Sequence, residues 1–411
     1  MSACFHLIYC HIKMIAFICK LFYDTNYLSF FRFTFAKITD MIKKWQFALI
    51  ITEDEKMSDK VRIAVIGCGN IANSAHIPAY LKCEDAQIVA FCDIIPERAD
   101  AAVKKYGCGR AVYDYHELLD DENIDAVSVC THNDFHSVIA IDFMRAGKDV
   151  LCEKPAARVL SEALEMQRVS HETDRILSIG VCNRFGTAVN HIKDMIARGD
   201  LGEVYHVYAS FRAHRSIPGI GGDFTRKAVS GGGALIDWGV HYLDLIMYCC
   251  GEPKPLTASG EAFCKLGKNI KDYVYTSMWA SDTAEENGVF DVDDSVTGIV
   301  RTDGPTITFN GAWAQNIGEN ETYIDFMGDK AGIRLAYCGN FTLYSVKDGM
   351  LLKTVPEYKT NNFYEDEVIS FVHSVRSRER NRADIDLAIQ TSKIMQAIYD
   401  SSEQHREVTI D

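Results

Sequence analysis

From Val61 onward, short apolar runs alternate with amphipathic stretches, a rhythm that suits parallel strands joined by helices. The pattern predicts strands over Val61–Ile66, Gln87–Cys92, Ala126–Cys130, Asp149–Cys152 and Ile176–Val181, with a shorter one near Ala111–Tyr113. Between them it predicts helices over Ile71–Leu81, Pro96–Tyr106, Tyr115–Asp120, His136–Ala146 and Ser161–Thr173. Parallel neighbours cannot be joined by tight hairpins, so each helix reads as a crossover within one doubly wound sheet. Beyond Asn183 the character changes. A helix over Ala188–Arg198 is followed by alternating β-rich segments at Glu203–Ala213, Asp294–Arg301, Thr306–Ala314 and Glu321–Met327, and helical periodicity returns over Tyr364–Arg376 and Asp386–Glu403. The expected fold class is α/β: a parallel sheet over residues 57–182, then an α/β domain over residues 183–411 with a large, mostly antiparallel open sheet. The stretch Lys265–Asp291 carries few periodic signals and reads as a surface or substrate-side loop.

Between the first strand and the first helix lies Gly67-Cys68-Gly69-Asn70-Ile71-Ala72, a G-x-G-x-x-A run in the strand-turn-helix context that gives the motif its meaning. Gly67 allows the tight turn, Gly69 lets a pyrophosphate approach the backbone, and Ala72 permits close helix packing. Asn70 and Ile71 then start a helix whose free N–H groups face the phosphates. Asp93 closes the second strand, where a carboxylate accepts from both adenosine ribose hydroxyls and repels a 2′-phosphate. Residues 57–182 are therefore expected to be a dinucleotide-binding Rossmann domain, with NAD the expected cofactor and NADP the alternative.

Two further motifs fall at the carboxyl ends of strands, where open α/β sheets bind ligands. Cys130-Thr131-His132-Asn133-Asp134-Phe135-His136 follows the fourth parallel strand, and Glu153-Lys154-Pro155 follows the fifth. Proline after Lys154 restricts that residue to an extended backbone and so aims its side chain. A lysine placed between substrate and cofactor can be tuned by burial for proton transfer; the bland reading is a solvated Glu-Lys loop pair.

A third constellation, Gly231-Gly232-Gly233-Ala234-Leu235-Ile236-Asp237-Trp238-Gly239-Val240-His241-Tyr242-Leu243-Asp244, leads from glycines into a predicted helix over Leu235–Cys249. At about 100° per residue, Asp237, His241 and Asp244 share one polar stripe, and the i, i+4 spacing lets Asp237 bond or orient His241. Histidine exchanges protons near neutral pH without a large perturbation. The alternative is a histidine satisfied inside a helix–sheet interface.

Together the opening glycine turn, Glu153-Lys154-Pro155, the Asn183-Arg184-Phe185 triplet and the glycine run leading to Asp237, Gly239, His241 and Asp244 resemble the Gfo/Idh/MocA family, the glucose–fructose oxidoreductase and inositol dehydrogenase group. The resemblance extends from about Lys60 to the C-terminus. It implies that Lys154, Asp237 and His241 are the catalytic residues before the nicotinamide, that Arg184 joins them in binding substrate, and that Glu153, Lys154, Thr131, Asn133 and His136 contact the cofactor. It also implies a homo-oligomer formed through the second sheet. One departure is His132, where the family commonly has proline. The implied activity is hydride transfer between NAD(P) and a secondary hydroxyl of a sugar, sugar derivative or cyclitol. A glycosidase acting by transient oxidation, or a sensor without catalysis, needs the same cradle. Arg212, His214 and Trp279 are further side chains able to meet substrate hydroxyls or a sugar ring.

A formal net charge of -14 and the lack of a Lys/Arg block exclude a nucleic-acid partner. The 14 cysteines are scattered without a CxxC pair, which points to reduced thiols, a cytoplasmic setting and no metal site. Residues 1–56 are compositionally foreign to the rest, being crowded with aromatics. Cys4–Tyr23 is apolar, but His6, His11, Lys13 and Lys20 break it before the roughly 18 residues a spanning helix needs. No small-residue cleavage site follows it. Translation from Met57, and a disordered or membrane-associating extension, are the two readings of this segment; no membrane association is expected of residues 57–411.

Overall fold

In the computed structural model, which describes residues 60–278, 280 and 285–411, six strands make a wholly parallel sheet. They are β1 (Val61–Ile66), β2 (Ala86–Cys92), β3 (Arg110–Val112), β4 (Ala126–Val129), β5 (Asp149–Glu153) and β6 (Leu177–Gly180), in the order β3-β2-β1-β4-β5-β6. The order reverses between β1 and β4, which opens a crevice at their carboxyl ends. Helices α1 (Ile77–Lys82), α2 (Pro96–Tyr106), α3 (Asn133–Arg145) and α4 (Leu160–Thr173) supply the crossovers. Along β1, Val61, Ile63 and Val65 enter one buried cluster and Ala64 and Ile66 another, because a parallel sheet covered on both faces needs apolar residues on both. The continuous helix expected over Ile71–Leu81 is instead a π turn, Ala72–His76, followed by α1. Pro78 has no N–H with which to close onto Ser74, and the widened turn buries His76.

Helices α5 (Thr187–Ala197), α6 (Lys227–Ser230) and α7 (Val240–Cys249) accompany a nine-stranded second sheet. Its strands are β7 (Val204–Arg212), β8 (Pro255–Phe263), β9 (Ser295–Thr302), β10 (Thr306–Ala312), β11 (Glu321–Gly328), β12 (Ala331–Ala336), β13 (Phe341–Lys347), β14 (Met350–Thr354) and β15 (Val408–Thr409). They run in the order β14-β13-β12-β11-β7-β10-β9-β8-β15, antiparallel except for the pair β7 and β10. Val207, Ala209, Phe211, Val296, Ile307, Phe309, Ile324 and Phe326 face inward and pack with Tyr242, Leu245, Ile246 and Cys249 of α7. The hairpin from β13 to β14 turns through Asp348 (φ 53°) and Gly349 (φ 75°), a left-handed pair that matches the strand twist.

Val61–Asp411 forms one compact unit. The chain changes sheets after β6, but its C-terminal part does not stay with the second sheet. On α8 (Phe363–Ser377), Val368, Phe371 and Val372 pack with β1. On α9 (Ile385–Gln404), Ile385, Ala388 and Ile389 enter the core of the parallel sheet, while Ile394, Met395 and Ile398 enter that of the antiparallel sheet. This helix spans both layers and so ties the two sheets together. Among the described residues no helix is long and apolar enough to cross a membrane; the extension over residues 1–56 lies outside them.

Candidate active site

At the crevice, Gly67 takes φ 90°, and a Cβ there would lie 2.6 Å from the Cys130 carbonyl oxygen. Only glycine serves where the β1 turn crosses the end of β4. Gly69 differs: nothing lies within 4 Å of its Cβ position, so this turn faces open space. Asn73 donates to the Cys68 and Gly69 carbonyls (2.8 and 3.0 Å), bracing the loop from below, and exposed Asn70 and half-buried Ile71 lead into the helix. Asp93 accepts from the Cys68 and Ile95 N–H groups at 2.8 and 2.9 Å, which fixes its carboxylate beside the turn. A carboxylate has about four acceptor sites, so two remain for ribose hydroxyls. Open backbone at Gly69 with a fixed carboxylate beside it fits a dinucleotide.

Across the crevice, Lys154 extends from the end of β5. Its Nζ lies 3.1 Å from Asp237 Oδ1 and 3.3 Å from the Asp237 carbonyl. Asp237 sits in a π turn, Leu235–Gly239, that replaces the first part of the expected helix. The extra residue in that turn breaks the i, i+4 relation: Asp237 does not bond His241 but bonds Lys154 and the indole N–H of fully buried Trp313, at 3.1 Å. His241, at the start of α7, has its Nδ1 3.3 Å from Asn183 Nδ2. Burial, and then the nearby Lys154 charge, hold the imidazole well below its ordinary pKa, so the ring is neutral at physiological pH. Asp293 shapes the approach by accepting from the Gly233 and Leu235 N–H groups and the Tyr399 hydroxyl. One neutral imidazole therefore stands within electrostatic reach of one ion-paired ammonium.

Further expectations change. Arg184 is fully buried; it pairs through two bonds with Asp244 (2.8 and 2.7 Å) and through Nη1 with Glu252 (2.7 Å). Its charge is satisfied inside the fold and no face is left for a substrate, so Arg184 leaves the substrate face and Asp244 leaves the polar stripe. His136 is buried, with Nδ1 2.8 Å from the Pro155 carbonyl and Nε2 3.1 Å from the Thr131 carbonyl. Burial lowers its pKa, and the ring works behind the loop, shaping Thr131 and Pro155 rather than touching a cofactor. Asn133 donates to the Ser230 carbonyl (2.9 Å), tying the loop after β4 to the end of α6. His132, the unusual residue of that loop, pairs with Asp223 at 3.3 Å. Thr131 abuts the Gly67 turn, its N 3.1 Å from the Cβ position. Arg212 pairs with Glu321 and His214 lies against the Gln315 carbonyl, whereas Trp279 is outside the described residues.

Residues 61–181 match the family described as "Oxidoreductase family, NAD-binding Rossmann fold", and residues 189–334 match the "GFO/IDH/MocA C-terminal domain". The chain belongs to the Gfo/Idh/MocA oxidoreductases. It is an NAD-binding dehydrogenase of that family. It is 30% identical to D-glucoside 3-dehydrogenase of Escherichia coli (strain K12), over 86% of this chain and 98% of that one. It is 32% identical to myo-inositol 2-dehydrogenase of Thermotoga maritima, where the match spans 47% of this chain and 55% of that one. In fold, it is similar to an oxidoreductase domain protein from Kribbella flavida (TM-score 0.74, 21% identity, 86% and 99% of the two chains). A levoglucosan dehydrogenase in complex with NADH and levoglucosan gives a TM-score of 0.72 at 19% identity, over 85% and 99%.

Behind the Lys154 end of the crevice in this Gfo/Idh/MocA chain lies a buried network absent from the sequence reading. His76, brought inward by the first π turn, contacts Ser128 Oγ (2.8 Å) and Glu153 Oε1 (2.7 Å), while Glu153 Oε2 accepts from the Lys154 N–H (3.0 Å). Burial opposes charge on both groups, but the contact outweighs it for Glu153, whose pKa is lowered; Cys130 and Glu153 together raise that of His76. Glu153 thus braces the Lys154 backbone instead of facing a cofactor. Beside it, on α8, Glu367 is buried with neither oxygen hydrogen-bonded among the described residues, and burial, then the Glu153 charge, raise its pKa well above the usual range. Nothing in the spacing marks these partners, since His76, Ser128, Glu153 and Glu367 come from four separate elements.

Proposed function

We propose that this dehydrogenase oxidises a secondary hydroxyl of a sugar, sugar derivative or cyclitol with NAD, and that Lys154, Asp237 and His241 are its catalytic residues. The observation that carries the reading is the 3.1 Å pair between Lys154 and Asp237 beside a neutral His241, at the carboxyl ends of the parallel strands. When bound, NAD supplies the hydride acceptor. Gly67, Gly69, Asn70 and Ile71 cradle its diphosphate in this reading, and Asp93 takes the ribose hydroxyls, which favours NAD over NADP. Lys154 and His241 hold the substrate oxygen between them and orient the C–H bond. The hydroxyl proton passes to imidazole or to Lys154. Because Lys154 is paired as an ammonium, it accepts only by handing one of its own protons to Asp237 Oδ1. Trp313 holds the other oxygen of that carboxylate.

The names of the relatives, D-glucoside 3-dehydrogenase and myo-inositol 2-dehydrogenase, support the substrate class. We place the enzyme in the cytoplasm, a placement supported by described cysteines among which no disulfide forms. We assign residues 57–182 to cofactor binding and 183–411 to substrate binding and homo-oligomer formation. Tyr208, Tyr323 and Arg334 on the sheet face opposite the α7 core supply the kind of aromatic and guanidinium surface that interfaces use. Replacing Lys154 by Met tests the chemistry: NAD affinity by titration calorimetry should stay near wild type while turnover collapses. Turnover near wild type would remove Lys154 from the reaction.

A further inference from the structure

Asn183 stands in the short turn Cys182–Phe185 after β6, buried and anchored by its neighbour Arg184 through the Asp244 pair. Its amide nitrogen lies 3.0 Å from the Tyr337 hydroxyl and 3.3 Å from His241 Nδ1. Tyr337 is equally constrained: it follows β12, its N–H donates to the Thr322 carbonyl (3.1 Å), and its ring stacks on Tyr242 with centroids 4.5 Å apart. Tyr242 is the residue after His241 on α7, so phenol, amide and imidazole are registered by the same helix. A primary amide nitrogen carries two N–H groups and no acceptor. Both of its contacts are therefore donated, one to the Tyr337 oxygen and one to His241 Nδ1.

We propose that Asn183, held by Tyr337, is a positioning residue that selects the tautomer of His241, leaving Nδ1 unprotonated and placing the ring proton on Nε2. Nε2 has no hydrogen-bond partner among the described residues, and it is the nitrogen left to meet substrate. The inference rests on the reading of His241 as a residue of the catalytic face. In this tautomer the ring meets the substrate oxygen as a donor, and proton acceptance falls to Lys154 with Asp237. For Nε2 to act as a base, the Asn183 amide must turn over so that its oxygen accepts from Nδ1–H, and the Tyr337 hydroxyl must then donate to the same oxygen.

The test is nitrogen NMR of the full chain labelled with 15N-histidine, in which the His241 signals are identified by their loss in H241N. Wild type should show an unprotonated Nδ1 and a protonated Nε2. Asn183→Asp offers only acceptors at that position. It should reverse the pattern and raise the pKa of the His241 ring, read from the same signals as pH is varied, by about one unit or more, as a carboxylate beside imidazole does. Tyr337→Phe removes one acceptor from the amide and should give a mixture of tautomers. A protonated Nδ1 in wild type, or an unchanged pattern in Asn183→Asp, overturns the proposal. The wild-type spectrum needs no substrate, so failure of the dehydrogenase reading would be seen separately, as absence of turnover in a protein whose tautomer is as described.

Discussion

Replacing Gly69 by Ala separates the cofactor cradle from the stability of the fold. Its Cβ position has nothing within 4 Å, and its backbone is not among those held at positive φ, so the folded protein accommodates a methyl group. Loss of glycine's freedom in the unfolded chain should raise stability by about 0.4–1 kcal/mol. The same methyl would stand where the account puts the diphosphate. Overpacking of about 1–3 kcal/mol corresponds to a dissociation constant for NAD raised roughly 5- to 150-fold. Gly67→Ala is the contrast. Its Cβ would fall 2.6 and 2.8 Å from backbone atoms of Cys130 at φ 90°, so strain of about 1–3 kcal/mol adds to backbone overlap of similar size, and melting itself should drop. Thermal denaturation without cofactor, followed by titration calorimetry with NAD, reads both quantities. Gly69→Ala binding NAD as tightly as wild type, with its melting temperature unchanged or raised, would refute the placement of the diphosphate.

Two further outcomes follow from the buried charges. Glu367 has its pKa raised in the folded protein, so above the ordinary carboxyl pKa the unfolded chain releases a proton that the folded one retains, and stability falls as pH rises. Glu367→Gln should lessen that fall relative to wild type as pH rises above the ordinary carboxyl range in denaturant titrations, the difference reaching up to about 1.4 kcal/mol per pH unit; parallel curves would mean Glu367 is ionised in the fold. Arg184→Met strands the buried Asp244 carboxylate and should cost about 3–5 kcal/mol of stability, which urea melts would detect; a stable variant with only a raised KM would restore Arg184 to the substrate face.

The parallel sheet was legible because β4, β5 and β6 are buried along their whole length and write largely apolar runs, and because Gly67, Gly69 and Asp93 stand at strand ends where backbone geometry leaves little choice. Glu153-Lys154-Pro155 was readable for the same reason. The spacing misled where a helix was assumed regular: the π turn at Leu235–Gly239 shifts Asp237 out of register with His241, and no local rule predicts one extra residue in a turn. Arg184 looked available because a charged residue is seldom fully buried, and only the fold shows that Asp244 and Glu252 meet it. Strands such as β14 escaped notice because four of its five residues are exposed and its alternation has no apolar face to report. Trp313, Tyr337 and Glu367 reach the site through sheet pairing and helix packing across long sequence separations.

The most direct test is nicotinamide absorbance with wild-type protein, NAD and a panel of aldoses, glucosides and cyclitols. The account predicts NADH accumulating with at least one free polyol, and no accumulation when Lys154 is Met. Cleavage of a glycoside without net NADH, or no reaction across the whole panel by a protein that binds NAD, would contradict it.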